Sequence, residues 1–459
     1  MMFSAGDDAV ATIPLVERGL DEILFRRENA GLTAARFLRD TRRLAADLPE
    51  ASHLLNLCQD RYNFTVTFAA AVLRGQVNLL TSNRSPDALR DLAGRFDITT
   101  LAHDDPAFGP VPRGHRVVLP DDAVTDAPDN ADIPVSRLAA IVFTSGSTGA
   151  PVGHRKSWGA LATRSSDAAL RFGMTGAAPP AIVGTVPPQH MYGFETTVLL
   201  PLHAAASSWC GPAFYPGDIR RALETVPAPR ILVTTPLQLR ALLGAEVDLP
   251  PLAAIISATA PMDPALAAGA ERRWDVPVLE IFGATEVGSI ASRRTTDGDM
   301  WETYARVGLS RPVGLPEESV VVTAPHAEAR ALADVIELRD KTHFRLLGRP
   351  GDLIKLGGRR ASLAGLNSIL NQIDGVHDGV FVAPEDLDRR PSARLLAYVI
   401  APDRSAEDIL TALRDRVDPV FLPRRVIRVD ALPRNEVGKL PRDALLSLVD
   451  TGGGTAGDS

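Results

Sequence analysis

Residues 144–149 read Thr144-Ser145-Gly146-Ser147-Thr148-Gly149 and follow directly on the strand-like run Ala-Ala-Ile-Val-Phe at 139–143. Glycine lets the backbone come close to a ligand, and successive amides flanked by hydroxyls can surround phosphate oxygens. The hexapeptide is not a Walker loop, because no Gly-Lys-Ser/Thr follows it. Taken alone it reads equally well as a Ser/Gly turn closing a strand. Lysine is the second chemical marker. Nearly all cations are arginine, and lysine stands only at 156, 341, 355 and 439. A lysine kept in such a chain marks a place that needs a compact ammonium.

Four further segments follow in order: Ser257-Ala258-Thr259-Ala260-Pro261, Phe282-Gly283-Ala284-Thr285-Glu286, Gly348-Arg349 to Gly358, and Pro433-Arg434 to Lys439. With the hexapeptide they resemble the motifs of the superfamily of acyl-CoA synthetases, nonribosomal-peptide adenylation domains and luciferases. Five matches in order across some 300 residues make coincidence a poor explanation. The resemblance implies activation of a carboxylic acid as acyl-AMP with ATP and Mg²⁺, followed by transfer to a thiol. Thr144 to Gly149 would hold the phosphates, and Thr259, Ala260 and Pro261 would line the adenine together with Phe282 and Gly283. Thr285 would donate to the α-phosphate and Glu286 would hold Mg²⁺, a hard cation that prefers oxygen ligands. Phe282 as core and Glu286 as a solvated acid are the plainer alternatives. Asp334, fifteen positions before Arg349, falls at the family's ribose-binding spacing, although it stands in Leu-Ala-Asp rather than Thr-Gly-Asp. Arg349 would touch ribose or phosphate, and Gly351 would be the hinge, where glycine's backbone freedom suits a pivot.

Lys439 resembles the lysine that bridges the acid's carboxylate and the α-phosphate, where a preorganised ammonium stabilises developing charge. The sequence departs from the family at Gly149-Ala150-Pro151-Val152-Gly153, since Val152 stands where the phosphate loop commonly carries a lysine. His154, Arg155 and Lys156 are the candidates to supply the missing charge.

The segment 187–196 aligns with the family's His-containing acid-pocket motif, putting His190 near the carboxylate and Tyr192, Gly193 and Thr196 on the pocket wall. A buried Tyr and Thr make sense if the acid carries a group needing a hydrogen-bond partner; Tyr192 as simple core is the alternative. The wording of NLCQDRYNF, LLTSNRSP and PPQHMYGFETTVLLPL is most similar to aryl-acid ligases of xanthomonadin and aryl polyene pathways. That similarity implies 4-hydroxybenzoate or a related acid as substrate and an acyl carrier protein as acceptor. An aryl or fatty acyl-CoA ligase is the nearest rival. Amino-acid activation would bring an aspartate to anchor the ammonium, and no clear candidate is present. A catalytically inactive nucleotide-binding relative is the rival from another class, favoured by Val152 and Ala333 and opposed by Lys439, Glu286 and the intact hexapeptide.

The chain that must position these residues has 459 residues, 45% of them hydrophobic and 23% charged, an ordinary globular composition too long for one core. A net charge of −7 without a basic block gives no sign of a nucleic-acid partner. Cys58 and Cys210 read as buried free thiols, and with no signal-like start and no long apolar run the expectation is a cytoplasmic protein without a membrane span. Helical periodicity at 34–47 and 64–74 alternates with apolar runs at 139–143, 181–186, 231–234, 253–256 and 278–281, which predicts parallel α/β layers. Residues 104–134 read as a loop with one strand at 116–119. After about 345 a Gly-rich stretch leads to a helix at 363–373, a strand at 395–400, a helix at 406–416 and a strand at 425–429. The expected fold class is therefore α/β. A large N-terminal domain of layered α/β sheets (1–348) would carry a small, mobile α+β C-terminal lid (349–450) and a disordered tail (451–459).

Overall fold

The apolar run before the hexapeptide forms the strand Leu138–Ser145 in the computed structural model, which describes residues 11–28, 30–96, 99–107, 114–119, 129–145, 151–176, 178–312, 319–348, 353–356, 359–383, 394–434 and 440. Leu138–Ser145 belongs to one of two large sheets seen among the described residues. This six-stranded sheet also holds the parallel strands His53–Asn56, Val77–Leu80, Thr99–His103 and Gly114–Arg116, and is closed by antiparallel Pro151–Ser157. The other sheet has eleven strands. Its centre is parallel, in the order Ile23–Arg27, Ser207–Trp209, Ala181–Gly184, Arg230–Thr234, Ala254–Ser257 and Val278–Ala284, and antiparallel strands extend both edges.

Helices cover these sheets because their sequences are capped and striped for it. Thr33 caps Ala34–Asp47 by accepting from the Arg36 amide, and Phe37, Leu38, Thr41 and Leu44 form the buried face. Arg61–Leu73, capped by Asp60, is buried almost all round, which explains why its sequence is Ala-rich rather than amphipathic. The apolar strand centres and helix faces meet in continuous cores, one around Phe25, Phe37, Tyr62, Phe64 and Phe194 and another around Phe282, Trp301, Tyr304 and Phe344. Cys58 and Cys210 are both free and buried.

Two local expectations are corrected. The short strand expected at 116–119 is Gly114–Arg116, because its partner Thr99–His103 ends where Arg116 pairs with His103, leaving Val118 exposed. Asp132–Pro134, inside the expected loop, pairs antiparallel with Thr12–Pro14. The smaller C-terminal region carries the expected helices as Leu363–Asn371 and Ala406–Arg414, and the expected strands as Leu396–Ile400 and Arg425–Arg428. It adds a hairpin, Leu353–Leu356 with Arg359–Ser362, and the strand Asp378–Val382. Leu370, Phe381, Val399, Ile409 and Leu413 form its own core. The fold is thus mixed α/β, with layered sheets in a large region and a smaller C-terminal region. Among the described residues no helix is long and apolar enough to cross a membrane.

Candidate active site

The parallel centre of the large sheet changes winding direction at Ala181–Gly184: the chain passes first to Ser207–Trp209 on one side, then to Arg230–Thr234 on the other. Crevices outside the C-terminal strand ends at such reversals are where open α/β sheets bind ligands. Here those ends lead into Thr185 to Thr196, Thr234–Thr235, Ser257 to Pro261 and Ala284 to Glu286. The ends are cross-linked by buried polar groups. The Thr185 hydroxyl lies 3.2 Å from Thr234 Oγ1 and also bonds Gln238 Oε1.

A buried arginine fixes the start of the acid-pocket segment. Arg61 donates through Nη2 to the carbonyls of Gly184 (3.2 Å) and Val186 (3.0 Å), through Nη1 to Trp209 O (2.9 Å) and through Nε to Thr197 Oγ1 (2.8 Å). Gln189 Nε2 reaches Cys58 O at 2.7 Å. His190, half-buried, then caps the following helical turn, its Nδ1 accepting from the Tyr192 amide at 3.3 Å. Gly193 is required there, since a Cβ would come within 2.3 Å of Pro187 O. The chain continues as a π-helix, Phe194–Leu199, in which Thr196 and Thr197 donate their hydroxyls to Tyr192 O and Gly193 O, both at 2.6 Å. The threonines thus satisfy carbonyls at the π-turn, a distortion often found at functional sites. Tyr192 is buried, and its hydroxyl donates to Ile256 O at 2.8 Å. The phenol proton that could have faced a substrate is committed to the sheet.

On the phosphate side, strand alternation separates the three candidate cations by face. Val152, His154 and Lys156 share one face of Pro151–Ser157, whereas Arg155 points away and is exposed. His154 Nε2 lies 3.1 Å from Thr144 Oγ1. Lys156 is only 6% exposed, and its ammonium donates to the backbone carbonyl of Glu286 at 3.2 Å. Burial pulls the Lys156 ammonium down to about 8, with Glu195 and Glu286 acting against that fall. Burial also lowers the His154 imidazole. Glu195 in turn accepts from the Ser289 amide at 3.2 Å and from its hydroxyl, tying the π-helix to the turn after Glu286. Gly288, at φ +78°, lets the chain pass, since a Cβ would sit 2.7 Å from Glu195 Oε1.

Backbone strain marks the candidate adenine segment. Thr259 is β-branched yet held at φ +81°, a conformation costing about 1–3 kcal/mol that collects at ligand sites. The segment is braced beyond Pro261 by Glu280, whose buried carboxylate accepts from the Met262 amide (2.9 Å), Arg293 and Thr295. Phe282 is 8% exposed and packs against Trp301 and Phe344, with centroids 5.5 Å away in each case, so the structure places its ring in the core. Gly283 beside it is exposed and cannot carry a side chain, because a Cβ would lie 2.4 Å from Gly288 O. Thr285 and Glu286 are half-buried at the end of the strand. Asp334 precedes Val335–Leu338, where Val335 pairs with Gly348, so it stands at the strand end from which the chain runs on toward 349.

Gly146, Ser147, Thr148, Gly149, Arg349, Gly351 and Lys439 lie outside the described residues, as does the side chain of Ser145. Among the described residues no cluster of three or more His, Cys, Asp or Glu side chains could hold a metal by itself. A single carboxylate at Glu286 does fit Mg²⁺, which binds through one or two carboxylates plus substrate phosphates. Arg61, Glu195, Arg164 and Tyr304 are neighbours of the site that the sequence reading did not select. Lys156 was visible through the rarity of lysine and through its place four residues after Val152.

The sequence matches the family described as AMP-binding enzyme over residues 42–328. The 4-coumarate–CoA ligase of Halorhodospira halophila is 30% identical over 313 residues, covering 65% of this chain and 73% of that protein. The indoleacetate–CoA ligase of Aromatoleum aromaticum is 25% identical over 403 residues, covering 79% and 76%. In fold the chain is similar to the anthranilate CoA ligase AuaEII in complex with anthranoyl-AMP, with a TM-score of 0.78 at 15% identity and coverage of 95% and 96%. The family match spans more than half of the sequence, and the chain belongs to the AMP-binding enzymes, the adenylate-forming superfamily.

Proposed function

We propose that this protein activates a hydroxylated aromatic acid, such as 4-hydroxybenzoate, with ATP and passes the acyl group to the thiol of an acyl carrier protein. In the first step a carboxylate oxygen of the acid attacks the α-phosphorus, and the bond to pyrophosphate breaks. In the second the acceptor's sulfur attacks the acyl carbon and AMP leaves. The observation that carries the reading is the Lys156–Glu286 contact at 3.2 Å, which joins the strand running back to Thr144 with the strand end bearing Thr285 and Glu286. The acid-pocket segment reaches the same turn through Glu195, whose carboxylate accepts from the Ser289 amide and hydroxyl.

In this reading Thr144 to Gly149 and Thr285 bind the phosphates, and Thr259 to Pro261 with Gly283 and the edge of Phe282 bind the adenine. Asp334 accepts from the ribose hydroxyls with Arg349 beside it. His190 faces the acid's carboxylate. Glu286 holds Mg²⁺, which when bound screens the phosphate oxygens. Lys439, on a lid of residues 349–450 that pivots at Gly351, stabilises charge at the α-phosphate. The reaction needs no membrane, and a cytoplasmic setting suits an ATP-dependent ligase with two buried free thiols.

CoA is the second acceptor to consider, favoured by the similarity to the 4-coumarate–CoA and indoleacetate–CoA ligases. Exchange of labelled pyrophosphate into ATP, dependent on added aryl acid, tests the first step; no exchange with any acid would defeat the reading. Single-turnover transfer from acyl-AMP to holo carrier protein or to CoA then separates the acceptors.

A further inference from the structure

Arg61 opens the helix Arg61–Leu73, behind its N-cap Asp60, and so belongs to the crossover between His53–Asn56 and Val77–Leu80 of the six-stranded sheet. Its side chain leaves that layer for the eleven-stranded sheet, where Gly184 and Trp209 are the last residues of two parallel neighbours. The guanidinium serves three directions there: Nη2 donates to Gly184 O and Val186 O, Nη1 to Trp209 O, and Nε to Thr197 Oγ1. These bonds close a loop. Gly184 and Val186 stand where the acid-pocket segment begins and Thr197 where it ends, so one side chain ties together both ends of the stretch that carries His190. The ends approach closely, since a Cβ at Gly184 would lie 2.5 Å from Thr197 Cγ2.

The tie is also directional. Because Arg61 Nε donates to Thr197 Oγ1, the threonine proton must go elsewhere, and it goes to Gly193 O at 2.6 Å. Arg61 thereby orients a bond inside the helical turn that His190 caps. Arginine suits the task, because lysine's three donors leave from one atom and cannot serve acceptors spread over three elements. The residue is only 5% exposed, and burial lowers the guanidinium to about 10, which leaves it charged in the neutral range. All four acceptors are neutral oxygens. A buried cation held this way is costly, and apolar residues of like volume often brace a fold as well or better. What they could not do is hold three backbone carbonyls and a hydroxyl at fixed separations.

We propose that Arg61 is a positioning residue for the substrate acid: by tying Gly184 and Val186 to Thr197 it fixes the span that His190 bridges, and so sets affinity for the acid without touching it. This rests on the acid-activating reading above.

The test is pyrophosphate exchange with 4-hydroxybenzoate. Arg61→Met should raise KM for the acid about tenfold or more and leave KM for MgATP within about twofold. Thr197→Val cuts the tie only at the far end of the loop and should raise the acid KM by a smaller factor. Arg61→Lys, which keeps the charge and part of the bonding, should lie between Arg61→Met and wild type. Acid and MgATP constants that rise together, or an acid KM unchanged in Thr197→Val, make Arg61 a brace of the fold and overturn the proposal. Should Arg61→Met not fold, Thr197→Val and Arg61→Lys decide by the same criteria. Amide hydrogen exchange gives an independent reading: Thr197→Val should speed exchange over residues 187–196 and leave Arg230–Thr234 unchanged, and no local speeding overturns the tie. Failure of the underlying activity looks different, because the wild type then shows no exchange of pyrophosphate with any acid, and hydrogen exchange alone decides whether the tie holds the segment.

Discussion

The Lys156 ammonium donates to the backbone carbonyl of Glu286 from inside the protein, 3.2 Å away, and so braces the turn carrying the Mg²⁺-binding candidate. Lysine is almost never this buried without such a role. Lys156→Met should therefore raise the Mg²⁺ concentration needed for half-maximal ATP use and lower kcat/KM for MgATP by about tenfold or more, or roughly 1.4 kcal/mol. Adding Val152→Lys should not restore it, because that ammonium would start from the exposed end of the strand. Steady-state exchange kinetics with varied Mg²⁺ check this, and rescue by Val152→Lys would show a direct phosphate contact instead.

Tyr192→Phe should cost about 1 kcal/mol of stability, the net worth of one buried hydrogen bond to Ile256 O. It should reduce exchange with 4-hydroxybenzoate and with benzoate by the same factor, since the hydroxyl faces the sheet. Urea unfolding and paired kinetics measure the two effects. A loss confined to 4-hydroxybenzoate would return the phenol-reading role to Tyr192.

The two half-reactions should separate at Lys439 and Gly351. Lys439→Ala should abolish acyl-AMP formation, by a factor of at least about a hundred, and spare thiol transfer from supplied acyl-AMP. Gly351→Pro fixes φ near −65° and should leave adenylation while blocking transfer, because only one lid orientation stays accessible. Single-turnover kinetics of each step in both variants decide the matter; equal slowing of both steps in each variant would exclude a two-orientation cycle.

His203 predicts an acid-sensitive fold. Its ring is buried against Trp158, centroids 5.2 Å apart, and burial pulls the imidazole from 6.5 down to about 4. Above pH 6.5 neither folded nor unfolded chain binds a proton there, so the full stability is present. As pH falls from 6.5 to about 4 only the unfolded chain takes the proton, and stability drops by up to roughly 3 kcal/mol. His203→Leu should flatten this part of the profile of unfolding free energy against pH between 7.5 and 4. An unchanged slope would mean that other groups set it.

By itself the sequence determined the layers and the order of the site's parts. Apolar runs such as 139–143 and 278–281, separated by helical periodicity, bury both faces in covered, largely parallel sheets, and each of these two strands pairs parallel on one side and antiparallel on the other. The motif segments were legible for the same reason: glycines forced by close approach, as at Gly193 and Gly283, and hydroxyls or carboxylates at strand ends leave a local signature. Tertiary structure decided which side chains face one another. Nothing local to Tyr192 indicates that its hydroxyl would meet Ile256 O, sixty-four positions away, or that Phe282 would pack against Trp301 and Phe344. The pairing of Pro151–Ser157 with Leu138–Ser145 chose Lys156 over Arg155, because alternation assigns a face only once the sheet exists. Arg164, Glu195 and Tyr304 gather around one cavity from a helix, a π-helix and a loop after a strand, and their shared burial, which gives each polar atom its value, exists only in the folded chain.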